Sequence, residues 1–454
     1  MAKLFGSSGV RGVVNQDLTL VLAAKIGLAV ANSAKAESVL VGRDTRVSGE
    51  MIENALVSGL LAGGADVDSV GIVPTPVLAY LTKKLKADLG VMITASHNPP
   101  QYNGLKVFGS DTLAYGEGEQ DKIEKTIAHK SFKFANWRSV GEFQSVDAAY
   151  LYAEMVQEEI RLDKNWHVIV DPGCGATYAL APSVLKSIGC KVMTINAQPD
   201  GLFPARSPEP NPETLDHLAK MVRTLGADAG IAYDGDGDRV AFIDEKGGFA
   251  DFDRVLAAFA SHATRNRRGA SVVTNVEASM CVERMVKGHG GEVVRTKVGD
   301  VYLSEAIKNH DAVFGGEPCG AWIHPRFHYC PDGILSSALL LKALEEEGKT
   351  LSEFVAEAPE YPTLRENIRC TNDTKYKTVD AIAGELKLLF AECRELLVVD
   401  GVRLTLEDGW VLVRASGTEP LIRVTVEGES LKAAKKLMKE TTRLVRKLVG
   451  DQHT

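Results

Sequence analysis

Apolar and polar positions along this chain follow two rhythms: short apolar runs rich in β-branched residues, and longer stretches in which apolar positions return every three or four residues. Residues 39–42, 90–93, 167–170, 230–233, 271–274 and 312–314 are runs of the first kind and predict strands. Each lies near a stretch of the second kind, so the order along the chain is strand, then helix. That order recurs three times without identity strong enough to mark a repeat, and it implies stacked α/β layers with mixed or parallel sheets. The apolar stretch 18–34 contains Lys25 and Asn32, so it reads as an amphipathic helix and not as a membrane span. In such folds chemistry gathers in the loops after strand ends.

Breaks in the rhythm suggest seams. A charged and aromatic stretch, 130–144, precedes a new helix over 148–162 and places one seam near 150. A second lies at Glu245-Lys246-Gly247-Gly248, before a helix over 252–265, and a third at Ala358-Pro359-Glu360-Tyr361-Pro362. Beyond it a strand-rich centre, 402–426, and a basic amphipathic helix, 431–449, predict a smaller α+β domain. The expected division is 1–150, 151–247, 248–360 and 361–454. A length of 454 residues predicts about three domains, each able to bury its own core at ordinary domain sizes.

Composition narrows the class. A net charge of −8 offers no basic footprint for nucleic acid. The seven cysteines, Cys174, Cys190, Cys281, Cys319, Cys330, Cys370 and Cys393, form no CxxC pair. Their odd, dispersed count without a secretory signal predicts reduced thiols in a cytoplasm. No nucleotide loop is present either, since the place five before Gly348-Lys349-Thr350 holds Ala343 where a Walker loop needs glycine.

Three groups carry chemistry. Asp234-Gly235-Asp236-Gly237-Asp238 sets carboxylates at alternate positions directly after an apolar run. Near a protein surface such charges repel by roughly 4 kcal/mol per pair at contact, so they need a cation or keep a proton. Hard oxygen ligands alone favour magnesium or a similar ion. An EF-hand would require glycine where Arg239 stands. A phosphatase using the first Asp as nucleophile is a further reading, and a solvated acidic turn is the bland one. Upstream, Thr94-Ala95-Ser96-His97-Asn98-Pro99-Pro100 ends an apolar strand, and the Ser96 hydroxyl there could accept a phosphoryl group or merely build a turn. Near the other end, Arg414 and Arg423 bracket Ser416-Gly417-Thr418, a pattern of guanidinium forks, hydroxyls and freed backbone that suits a phosphate dianion or a solvated hairpin.

Ser96 within TASHNPP, the DGDGD loop and RASGTEP from Arg414 to Pro420 resemble three signature loops of the α-D-phosphohexomutase superfamily. Gly315-Gly316-Glu317-Pro318-Cys319-Gly320 is similar to its sugar-recognition loop, with Cys319 where serine is common and Ala321 where a histidine often follows. The resemblance runs from Leu4-Phe5-Gly6-Ser7-Ser8-Gly9-Val10-Arg11-Gly12 to the last helix. It implies three successive similar mixed α/β domains around a central cleft plus a smaller C-terminal α+β domain, each giving one loop to the cleft.

The implied activity is a phosphohexomutase. Phosphoserine at Ser96 would donate its group to a hexose monophosphate, pass through a hexose 1,6-bisphosphate that is both intermediate and activator, and recover the other phosphate. Asp234, Asp236, Asp238 and a Ser96 oxygen would hold one Mg²⁺ per chain. About −5 of charge from three carboxylates and a phosphoserine would be balanced by the ion with Arg11, Arg239 and Lys106. Lys106 matches the family's active-site lysine and His97 adjoins Ser96, so the general base is one of the two. Arg11 and Arg239 would stabilise phosphate. Glu317 and Cys319 would face the sugar, with Arg295, Lys297 and Asp300 on the rim, while Arg414, Ser416, Gly417, Thr418 and Arg423 would grip the phosphate that is not reacting. Val298-Gly299-Asp300 resembles the phosphoglucosamine mutase branch, where an acidic residue could pair with an ammonium. Phosphomannomutase/phosphoglucomutase is the runner-up, and a non-catalytic sugar-phosphate sensor is the reading from another class. The expected partner is a small hexose phosphate, with no nucleic acid and no membrane; a homodimer is left open.

Overall fold

Buried β-branched residues form the strands of this protein. In the computed structural model, which describes residues 4–6, 8–34, 36–265, 267–417 and 419–451, the strand Ser38–Arg43 lies between Leu89–Ile93 and Asp66–Ile72, parallel to both. Antiparallel strands Tyr102–Gly109 and Gly9–Val13 extend this sheet on one side, and Phe143–Ser145 closes the other. Helices Leu20–Ala34 and Gly49–Ala62 bring Ile26, Val30, Leu56 and Leu60 against Val39, Val41, Val91 and Ile93. Full burial of each such side chain stabilises by roughly 1.5–3 kcal/mol. The sheet therefore fixes where Ile93 ends and the following turn begins.

A second sheet runs Val240–Ile243, Ala229–Tyr233, His167–Asp171, Lys191–Thr194. Its last three strands are parallel, but Val240–Ile243 returns antiparallel to Ala229–Tyr233. Residues 234–239 are thus the connection of a hairpin, pinned at both ends. A smaller hairpin, Phe314–Gly316 with Trp322–Ile323, presents Glu317 to Ala321 at its tip. These elements belong to one packed unit, Met1–Phe252 with Gly299–Val355.

The other unit, Asp253–Val298 with Ala356–Thr454, contains the parallel pair Ser271–Asn275 and Glu292–Thr296 and a five-stranded antiparallel sheet. In that sheet Gly409–Ala415 and Leu421–Gly428 pair over their whole length, with Arg414 opposite Arg423. Helices Asn372–Leu389 and Leu431–Asp451 cover a core of Ile382, Leu386, Val411, Val424 and Val445.

Several expected elements shift in their limits by a residue or more, two of them with a clear cause. The strand expected over 312–314 is Phe314–Gly316, because Ala312 N–H still bonds to Ile307 O as the preceding helix unwinds. The helix expected over 148–162 is Ala149–Glu159; Ile160 is extended and Leu162 bonds to Ile188. No described helix is long and apolar enough to cross a membrane.

Candidate active site

Ser96 follows the strand Leu89–Ile93 with a left-handed backbone, φ 51°, and is 1% exposed. For a residue other than glycine such a conformation costs about 1–3 kcal/mol, so the surroundings must impose it. Its N–H bonds to Thr94 Oγ1 at 2.8 Å, and its hydroxyl donates to Asp234 Oδ2 at 2.7 Å. His97 Nδ1 lies 3.2 Å from the same oxygen. Gly235 must be glycine here, since a Cβ would stand 2.6 Å from Ser96 O. The hairpin connection can therefore lie directly on the serine turn.

The three aspartates are buried, with ligand oxygens within 4.8 Å of one another. Asp236 Oδ2 accepts from Thr75 Oγ1 at 2.6 Å and from Lys106 Nζ at 3.1 Å, while Asp238 Oδ2 accepts from Lys106 at 2.6 Å. Asp234 Oδ1 accepts from Arg239 N. Among the described residues, Asp236 Oδ1 and Asp238 Oδ1 have no hydrogen-bond partner although both are buried. Orphaned carboxylate oxygens cost several kcal/mol unless a cation takes them, so this donor set fits a hard divalent ion.

Charge inside the cluster is unevenly shared. Burial, then the Asp238 and Asp236 carboxylates, raise Asp234 well above the ordinary range, and burial with Asp236 raises Asp238 against the pull of Lys106. Burial also opposes ionisation of Asp236, but Lys106 and the bonds from Thr75 and Lys106 outweigh it and hold that carboxyl below the usual range. Burial would strip the proton from Lys106, yet Asp236 and Asp238 hold its ammonium above the ordinary value. Burial, Arg239 and Arg11 push His97 down to about 2, so its imidazole is neutral. Arg11 bonds to Asn98 Oδ1 at 2.9 Å and leaves its buried Nε without a partner; Arg239 pairs with Glu209 at 3.2 Å.

At the second hairpin, Glu317 Oε1 accepts from Gly299 N at 2.8 Å, and the turn closes through Glu317 N–H to Ala321 O. Burial pushes the Cys319 thiol up to about 12, against the nearby Arg239. Asp300 opens the helix Asp300–Asn309 and takes the Ser8 hydroxyl at 2.6 Å. All of these groups lie in the first unit.

Lys297, Arg414, Ser416, Gly417 and Arg423 lie in the other unit. Arg414 pairs with Glu277 at 2.6 Å and Asp400 at 3.0 Å, and exposed Arg423 pairs with Glu419 at 3.1 Å. Ser416 is buried and its Oγ accepts from Glu419 N; Gly417 is exposed at the tip. Thr418 lies outside the described residues. Lys297 is exposed after the strand Glu292–Thr296. Arg295, expected on the rim, spends its guanidinium on Glu283 and on the carbonyls of Asn275, Ala278 and Ser279, so it braces its own unit.

Several residues escaped the sequence reading. Thr75 orients Asp236, Thr94 holds the Ser96 amide, and buried Lys375 donates to the carbonyls of Ser416 and Glu419. Asp44 and Arg46 lie under the serine turn. A sign was present in Gly42-Arg43-Asp44-Thr45-Arg46, where charges follow the apolar run 39–42.

Four descriptions of one family match in order: Phosphoglucomutase/phosphomannomutase alpha/beta/alpha domain I over residues 2–134, domain II over 150–248, domain III over 251–361 and the C-terminal domain over 366–444. The mixed α/β sheets described above accord with three such domains and a C-terminal one. A protein of Pyrococcus abyssi named "Probable phosphoglucosamine mutase" is 43% identical over 446 residues, 98% of each chain. One of the same name from Methanopyrus kandleri is 45% identical over 453 residues, 99% of each chain. A crystal structure of a phosphoglucomutase/phosphomannomutase family protein from Burkholderia thailandensis superposes with a TM-score of 0.89 at 28% identity, covering 98% of this chain and 97% of that one.

Proposed function

This chain belongs to the phosphoglucomutase/phosphomannomutase family, and from that premise we propose that it is a phosphoglucosamine mutase, interconverting glucosamine 6-phosphate and glucosamine 1-phosphate. The observation that carries the reading is Ser96 Oγ bonded at 2.7 Å to one of three buried aspartates whose neighbours have unfilled oxygens. Phosphorylated, Ser96 would give its phosphoryl group to the free sugar hydroxyl, and the second phosphate of the bisphosphorylated sugar would return to the same oxygen. Asp234, Asp236, Asp238 and a Ser96 oxygen would hold Mg²⁺, which when bound supplies positive charge against the transferring group.

The chain's own residues do the rest. Arg11, with its spare buried donor, and Arg239 would neutralise phosphate oxygens. Neutral His97 would steady the serine oxygen. Lys106 keeps Asp236 ionised while it pairs with Asp236 and Asp238, and it would act on a substrate proton only once those carboxylates turn to a metal. Glu317 would accept from sugar hydroxyls beside Cys319, and Lys297 is a further proposed substrate contact. Arg414, Ser416, Gly417, Thr418 and Arg423 would grip the distal phosphate, and Asp300, steadied by Ser8, would pair with the sugar ammonium. The proposed domains are 1–150, 151–247, 248–360 and 361–454. Hexose 1,6-bisphosphate would prime Ser96, and the described cysteines, none of them in a disulfide, fit a cytoplasmic setting.

Turnover of glucosamine, glucose and mannose 6-phosphates at equal concentration tests the substrate. Glucosamine should lead; a hundredfold or larger preference for mannose, about 2.7 kcal/mol in the transition state, would overturn it in favour of a phosphomannomutase/phosphoglucomutase.

A further inference from the structure

We propose that Arg46 is a positioning residue for phosphoryl transfer, holding the Ser96 turn in the backbone conformation that presents Oγ to Asp234; the inference rests on the mutase reading. Its guanidinium is fully buried and every N–H has an acceptor. Nε donates to Asp44 Oδ2 at 3.0 Å, Nη1 to Pro99 O at 2.7 Å and Tyr102 O at 2.9 Å, and Nη2 to Ser96 O at 2.8 Å and Asn98 O at 2.6 Å. Four carbonyls of a single turn thus converge on one planar fork. The turn is tied a second time through Asp44, whose Oδ2 accepts from Thr94 Oγ1 at 2.7 Å while that same oxygen receives the Ser96 amide. Phe203 covers the guanidinium at 5.2 Å, and Ser96 O is confined between Nη2 and Gly235.

Asp44 neutralises Arg46, so the arginine contributes geometry and not field. A lysine there keeps the charge but has three donors from one point and cannot span the four carbonyls. Geometry alone is at stake.

The test compares Arg46→Lys, Thr94→Val and Thr94→Ser with wild type, as full chains. The readouts are melting temperature, kcat and KM for glucosamine 6-phosphate, and the phosphorylated fraction of Ser96 after treatment with glucosamine 1,6-bisphosphate. Folded Arg46→Lys should lose at least about a hundredfold in kcat and most of its Ser96 phosphorylation, with KM within about threefold of wild type. Thr94→Val should lose about tenfold in kcat, and Thr94→Ser should recover most of it. If Arg46→Lys does not fold, the Thr94 pair decides. A folded Arg46→Lys or Thr94→Val with kcat within about threefold of wild type overturns the proposal, as does a loss confined to KM or melting temperature, or Thr94→Ser as slow as Thr94→Val. A wild type that phosphorylates Ser96 but isomerises none of the three sugars sinks the mutase reading alone, and the phosphorylated fraction then decides on Arg46; one that does neither sinks both.

Discussion

The serine–aspartate centre and the Arg414 loop both handle charge, yet they handle it in opposite ways. At the centre Ser96, Asp234, Asp236 and Lys106 are nearly inaccessible, and their bonds run to one another. In the loop Arg423 and Glu419 are exposed, and Arg414 rests on partly exposed Glu277 and Asp400. The first arrangement has no room for adjustment, as bond making between defined atoms demands. The second holds its arginines on carboxylates, which on the proposed reading a phosphate dianion would replace, charge for charge. A mutase needs both: one fixed place where bonds change, and one grip tolerant of a substrate presented either way round.

The contrast breaks most sharply at Ser96. Ser96→Ala should abolish the phosphoprotein seen by intact mass and lower turnover by at least about 10⁴-fold, as loss of a nucleophile does. Binding of the monophosphate at the loop should survive. An alanine variant that still turns over at a tenth of the wild-type rate would show that phosphate travels by another route.

The Asp234 to Asp238 loop was legible as a candidate because its carboxylates are too close to stand bare, and Ser96 because a hydroxyl after a strand sits in a motif that resembles a family signature. The sheet strands were legible for a similar reason, as Val39, Val91 and Ile169 belong to runs that no helix period explains. Arg46 was legible only as one charge in a cluster after an apolar run, because an arginine whose five donors are satisfied looks in sequence like a surface arginine. Only the convergence of carbonyls from residues 96 to 102 distinguishes it. Arg295 shows the same in reverse: nothing in the sequence tells that its guanidinium is engaged by Glu283 and by backbone carbonyls. Thr75 and Lys375 act across more than forty residues of sequence, and spacing carries no trace of that.

Metal removal sharpens the comparison next. Stripping divalent ions should lower turnover by at least about a hundredfold. It should also leave a pH signature. Asp234 and Asp238 have folded-state pKa values raised above their unfolded ones, so the folded chain binds the extra proton and their contribution is lost as pH rises through those raised values. Asp236, held low, stays ionised throughout that window. The melting temperature of the stripped protein should therefore fall with rising pH above about 4, and Mg²⁺ should restore more stability at pH 8 than at pH 5. Asp234→Asn should flatten the slope; an unchanged slope would mean that the cluster does not hold the proton.

At the loop the expected effects are smaller and fall on binding. Arg414→Ala should raise KM for the monophosphate about 10–100-fold, the worth of a charge-assisted contact, while Mg²⁺ affinity stays put. Equal loss of both would mean that the two regions are not separable.

The smallest effect probes how Arg414 is stored. Glu277→Gln removes one of the two carboxylates that hold the guanidinium, 2.6 Å away and about a third exposed. An ion pair at such exposure is worth about 0–1 kcal/mol, so the melting temperature should barely move. Whatever that pair was worth becomes available to phosphate, because the substrate no longer competes with Glu277 for the same N–H groups. KM should then fall by about two- to fivefold with kcat unchanged, an improvement in binding from the removal of a contact. A higher KM would show that Glu277 aims the arginine at its ligand, and the loop would then be as preformed as the buried centre.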